Sequence, residues 1–171
     1  MKKRRKKSKP PHGLRPLVEV TLRGKCKRKK RCPSYSGKML VDTGASHSFI
    51  DEKAVKALKL KSQGKSKIHG IAGGKKPIVL DRYPVTMQFP PALGLRDVPL
   101  TQHGAYAKKG LHKDGRVGIV GRDAMSGGDD PKARMTVEYD SYTSTLALRP
   151  STAVLNAVRE ELVRRELNKR K

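Results

Sequence analysis

A chain of 171 residues with 35% hydrophobic and 4% aromatic content holds apolar material for one small core and not for two. No apolar run is long enough to span a bilayer. Met1–Lys9 is basic with no apolar stretch behind it, so a secretory signal peptide is excluded and a soluble intracellular protein is expected. The formal charge of +25 is unevenly spread: residues 1–38 hold sixteen Lys/Arg against one acid, Glu19. That front-loaded charge suits contact with nucleic acid or another polyanion, and residues 2–9 also fit a nuclear-localisation signal, for a cytoplasmic or nuclear protein. No aromatics are interleaved with the lysines, so base stacking is not indicated.

In chain order, residues 1–13 read as a disordered basic tail. Leu17-Val18-Glu19-Val20-Thr21-Leu22 alternates and predicts a strand. A basic loop follows, flanked by Cys26 and Cys32; intracellular residence favours free thiols there, and no histidines stand at metal-ligand spacing. Met39-Leu40-Val41 predicts a strand that delivers Asp42-Thr43-Gly44 to a loop, and residues 51–58 predict a short helix with acids first and lysines later. The glycines of residues 67–74 mark a hairpin tip or mobile loop. Ile78–Leu80, Val85–Phe89 and Val98–Thr101 predict strands, residues 102–116 a loop, and Val117–Gly121 an apolar strand before a turn or short helix at Arg122–Met125. Met135–Tyr139 and Ser144–Leu148 predict a final strand pair. From Ser151, a plausible N-cap, Val154, Leu155, Val158, Leu162 and Val163 recur at helical spacing, predicting an amphipathic helix that packs on the domain or a partner subunit.

One constellation carries chemistry. A carboxylate at the end of an apolar strand, followed by Thr and Gly, projects into a cleft from a tight turn: Gly44 allows close backbone approach, and the Thr43 hydroxyl can hold the loop. Peptide cleavage by carboxylates needs two of them sharing one proton, one as general base on a water and one as proton donor to the scissile carbonyl. By itself Asp-Thr-Gly also fits an ordinary turn. The chain has a single copy, so a second carboxylate must come from a second chain across a two-fold axis.

Four blocks in order extend this pattern: Leu17–Leu22, then Leu40-Val41-Asp42-Thr43-Gly44-Ala45, then Gly70-Ile71-Ala72-Gly73-Gly74, then Ile119-Val120-Gly121-Arg122-Asp123-Ala124-Met125. Over residues 17–149 the chain resembles the retropepsin-like aspartic proteases, the retroviral and retrotransposon type with cellular and bacterial relatives. The resemblance implies a mainly β, single-domain acid-protease barrel closed by a C-terminal helix, acting as a homodimer on a peptide or polyprotein without cofactor or metal. It implies that Asp42 is catalytic and that Thr43, Gly44 and Ala45 support the active-site loop. Ile71, Ala72, Gly73 and Gly74 would form a flap, Gly121 and Asp123 would lie near the site, and Arg122 would make an ion pair near the dimer interface. Ser46 and His47 stand where retroviral members carry acids, leaving Asp51 as a substitute partner for Arg122.

The expected organisation is therefore a basic tail (1–13), a protease domain (14–150) and an amphipathic helix (151–171), with no membrane partner. Two further readings stay open. One is a non-catalytic retropepsin-fold module for dimerisation or nucleic-acid and polyanion binding; the other is a basic chromatin- or ribosome-type protein with a chance tripeptide.

Overall fold

Strict alternation builds the first strand of the computed structural model, which describes residues 15–24, 32–69, 77–140 and 145–169. In β1 (Leu17–Arg23), Val18, Val20 and Leu22 point inward while Leu17, Glu19 and Arg23 face out, the period of two that a half-buried strand requires. It pairs antiparallel with β2 (Ser34–Val41), which starts five residues before the predicted apolar run because Thr21 and Arg23 provide ladder partners for Ser36 and Ser34. The basic tail and Cys26 lie outside the described residues. Cys32 is disulfide-bonded, which corrects the expectation of free thiols.

The remaining strands are β3 (Phe49–Asp51), β4 (Lys65–Ile68), β5 (Ile78–Gln88), β6 (Val98–Lys108) and β7 (Gly118–Val120). Together they form a seven-stranded sheet in the order β1-β2-β7-β3-β6-β5-β4, and an additional β1–β5 pairing closes six of them into a ring, leaving β4 outside on β5. Closure removes the free edges of the six strands and wraps one core, in which Leu22, Met39, Met87, Leu100 and Val120 are fully buried. The expected mainly β barrel is thus observed, and the Val117–Gly121 strand is present as β7.

Two local expectations change. Ile78–Leu80 and Val85–Phe89 are one strand, β5, interrupted only by a register shift between Tyr83 and Val85. Pro84 sits in the shift, where its missing N–H costs no ladder bond. Residues 102–108, expected as loop, continue β6: Ala105 and Tyr106 pair with β5, and Tyr106, Ala107 and Lys108 pair with β3. Partners on both sides override a composition rich in Gly, Lys and His. β3 was not predicted at all; it is three residues long and merges with the helix that follows.

That helix, α1 (Glu52–Ala57), is capped by Asp51, whose carboxylate accepts from the Lys53 N–H at 2.8 Å. α2 (Arg122–Met125) follows β7 directly and buries Ala124 and Met125. β8 (Met135–Asp140) and β9 (Thr145–Pro150) form a separate antiparallel pair anchored in the core through Met135 and Leu148. α3 (Thr152–Lys169) completes the described chain, with Ser151 at its start. Of its apolar residues, Val154 is half-buried and Leu155, Val158 and Leu162 remain exposed. No helix among the described residues is long and apolar enough to cross a membrane.

The closed core makes a specific energetic demand. Leu22→Ala, at a fully buried position facing both β2 and β5, is expected to lower unfolding free energy by about 2–5 kcal/mol, read by chemical denaturation at fixed protein concentration.

Candidate active site

The site begins where β2 ends. β7 runs parallel to β2, with Val41 opposite Val120, and antiparallel to β3, with Phe49 opposite Ile119. The chain therefore leaves β2 at Asp42, loops out and returns as β3 on the far side of β7. Asp42 stays tied to this frame: its N–H donates to the Val120 carbonyl at 3.0 Å. Its own carbonyl accepts from the Ala45 N–H at 3.1 Å, and its Oδ1 accepts from the Gly44 N–H at 2.9 Å. The turn thus points the carboxylate out of the core with one oxygen already engaged. Asp42 is half-buried, while Thr43 and Gly44 are exposed and Ala45 is half-buried.

Beneath the turn lies a polar knot. The Ser48 N–H donates to Asp123 Oδ2 at 2.9 Å, and the Ser48 hydroxyl donates to Asp123 Oδ1 at 2.6 Å. The same hydroxyl oxygen accepts from the Gly121 N–H at 3.0 Å, and Asp123 Oδ1 also accepts from the Ala124 N–H at 2.7 Å. One serine and one aspartate, far apart in sequence, satisfy three backbone donors where α2 meets the returning chain. Gly121 is needed for the approach: a Cβ there would run into the His47 carbonyl and lie 2.8 Å from the Ser48 nitrogen. Arg122 closes the loop from outside. Its N–H donates to the Ala45 carbonyl at 2.8 Å, and its Nη2 donates to Ser46 Oγ at 2.8 Å.

Asp51, considered as a partner for Arg122, is engaged elsewhere. It is fully buried and accepts from the His112 N–H and Nδ1, both at 3.0 Å, besides capping α1. Arg122 instead meets the hydroxyl of Ser46, the residue standing where an acid was expected. Burial pushes the Asp51 carboxyl up, but the Lys53 and His112 N–H groups, the His112 ring and its charge together outweigh it and hold the carboxyl below its ordinary value of 3.8.

Asp42 opens onto a cleft of about 510 Å³. Phe49, Ile68 and Ile119 supply its apolar lining, and His47, His69 and Lys108 its basic lining. The edge of the His47 ring rests on Tyr106 at 5.1 Å between centroids. The loop residues 42–45 and the Gly121–Asp123 segment are therefore brought together. Ile71, Ala72, Gly73 and Gly74 lie outside the described residues. Among the described residues, no group of three or more His, Cys, Asp or Glu converges in a way that would hold a metal ion.

The sequence model of the aspartyl protease family matches residues 18–123, from β1 to α2, and so spans both Asp42 and Asp123. The chain belongs to the aspartyl protease family. Among solved structures, it is similar to the EIAV protease complexed with the inhibitor HBY-793, at 22% identity and a TM-score of 0.39, over 66% of this chain and 86% of that one. Among curated proteins, none matches. The family match stops before β8, β9 and α3, which lie beyond the matched segment.

Sequence reasoning missed Ser48, His69, Lys108 and the Asp51–His112 pair. Ser48 sits in a Ser-His-Ser run that reads as loop, and its partner is 75 residues away. Lys108 fell in a stretch assigned to loop; recognising β6 as a longer strand would have placed it beside β3.

Two outcomes follow from these contacts. Ser48→Ala, which leaves the buried Gly121 N–H without its acceptor, is expected to cost about 1–3 kcal/mol by denaturation, against a much smaller effect for Ser46→Ala at the exposed loop. For Asp51, whose folded-state value is depressed, the stabilisation is fully present above the ordinary value of 3.8 and is lost as pH falls through the folded value. Melting temperature followed from neutral pH to below 3.8 should therefore drop less steeply in Asp51→Asn than in wild type, from a lower neutral-pH starting point.

Proposed function

We propose that the protein is an aspartic endopeptidase whose working unit is a homodimer, with Asp42 of each chain facing the other. The observation that carries this reading is the cleft lining: among the described residues lining it, Asp42 is the one carboxylate. One carboxylate cannot be an ionised base and a protonated acid at the same moment. Two, sharing one proton across a two-fold axis, can: the ionised member deprotonates a water, and the protonated one donates to the carbonyl oxygen of the scissile bond. The water oxygen adds to the carbonyl carbon, and the resulting tetrahedral species expels the amine, which leaves with the proton that the base carboxylate took from the water. No covalent intermediate with the protein forms.

The loop geometry suits this role. The Gly44 N–H on Asp42 Oδ1 orients the carboxylate, and the Val120 carbonyl and the Ser48–Asp123 knot hold the loop against the barrel. Exposure of Thr43 and Gly44 leaves this surface open to a second copy. Gly121 and Asp123 act as loop supports, and Arg122 braces the loop through Ala45 and Ser46.

A second reading draws on one specific observation, the sixteen Lys/Arg of residues 1–38 against one acid. In it the fold is a platform for dimerisation and polyanion contact, through the tail, without proteolysis.

The two separate on a peptide library assayed from acid to neutral pH. Asp42→Asn should lower cleavage by about a thousandfold or more, and a transition-state-mimicking peptide should block the wild type. Adding excess Asp42→Asn chains to wild type should depress activity further than dilution does, since mixed dimers carry one carboxylate. Equal cleavage by wild type and Asp42→Asn would sink the protease reading, and an active, strictly monomeric protein would sink the shared site.

A further inference from the structure

We infer that the cleft beside Asp42 selects peptides that carry acidic side chains next to a large apolar one. This rests on the endopeptidase reading and names its substrate class.

The cleft has two kinds of wall. Phe49 and Ile68 are buried and Ile119 is half-buried, so the floor is apolar and takes an aliphatic or aromatic side chain. Around it stand His47, His69 and Lys108, delivered by three separate parts of the fold. His47 comes from the loop after Asp42 and is fixed by its edge contact with Tyr106. Lys108 ends β6, two residues beyond Tyr106 and hence on the same strand face. His69 directly follows β4. Among the described residues of the lining these bases meet one acid, Asp42, and that carboxylate is already engaged by the Gly44 N–H and assigned to the chemistry. The basic groups are thus left for whatever enters. In a dimer with a shared proton, two such walls face a single net negative charge, so the number of basic groups doubles while the negative charge does not. A half-enclosed apolar floor strengthens the field of these groups over that of solvated surface lysines.

The same geometry argues against nucleic acid in the cleft. Its aromatic residue, Phe49, and the neighbouring Tyr106 are buried and offer no open face for a base to stack on. An extended peptide, by contrast, alternates its side chains and can set an apolar one on the floor and a carboxylate beside Lys108.

The test uses full-length protein carrying Asp42→Asn, so that binding is read without turnover. Three peptides share one sequence around a central Leu and differ only in having Glu, Gln or Lys at the flanking positions. By fluorescence anisotropy the Glu peptide should bind about tenfold more tightly than its Gln isostere, with the Lys peptide weakest. The Glu–Gln gap should shrink as salt is raised. Adding Lys108→Gln should narrow the gap, and adding Lys108→Glu should shift preference towards the Lys peptide.

Equal binding of Glu and Gln peptides, or no binding of either, overturns the inference. So does a Glu preference untouched by both Lys108 variants, because the charge then acts from elsewhere on the chain, as it would for a general polyanion. Wild-type cleavage of the Gln peptide reads proteolysis alone. Cleavage without a Glu preference removes the acidic substrate class and leaves the protease. A Lys108-dependent Glu preference with no cleavage of any peptide supports the acidic ligand and removes the protease.

Discussion

The bonds that converge on Ser48 and Asp123 are the constraint on which the site depends. Asp42 is carried by a loop, and a loop alone would not hold a carboxylate in a fixed direction. The loop is rigid here because both of its ends are fastened to the same short strand. Asp42 hangs from Val120 on β7, and six residues later Ser48 is locked to Gly121 and Asp123, immediately past the end of that strand. Ser48 and Gly121 are buried in the knot, so the Gly121 N–H left unpaired would forfeit its hydration without replacement. Gly121 completes the arrangement by letting two stretches of backbone lie closer than any side chain would permit.

The crossing of strands explains why this loop opens onto a cleft and not onto the core. β7 is inserted between β2 and β3, parallel to one and antiparallel to the other. The connection from β2 to β3 must therefore arch over the end of β7, and residues 42–48 make that arch. β6 and β4 flank it and contribute Lys108, Ile68 and His69. The arch presents the carboxylate and adds His47, while its neighbours supply the rest of the charge and apolarity around it. Arg122 still braces the loop through a hydroxyl where an acid was expected.

Away from this centre, carboxylates serve as staples. Asp51 caps α1 and receives both the backbone and ring N–H of His112, binding the helix to the turn after β6. Asp129 does the same between the segment after α2 and β6, accepting from the Thr101 hydroxyl, the Gln102 N–H and His103. Burial raises the Asp129 carboxyl, and these bonds outweigh it and bring it below its ordinary value. In a chain with forty Lys/Arg and fifteen Asp/Glu, several of the scarce acids are thus committed to backbone N–H groups.

Much of the fold was legible in advance because it depends on local signals. The alternation of Val18, Val20 and Leu22 marked β1, the apolar run ending at Asp42 marked the end of β2, and the acid-to-lysine order of residues 51–58 marked α1. Elements stabilised by neighbours escaped: β3 is too short to show a period, and the second half of β6 has a loop's composition and a strand's partners. The sequence by itself determined the single Asp-Thr-Gly, the Gly-Arg-Asp block and the overall charge, because these are matters of residue identity and order. Only the tertiary structure decided that Ser48 joins Asp123, that Asp51 takes His112 and not Arg122, and that His47, His69 and Lys108 meet around one cleft. Those pairings join residues up to 75 positions apart, and no periodicity or propensity along the chain encodes which distant strands a closed barrel brings side by side.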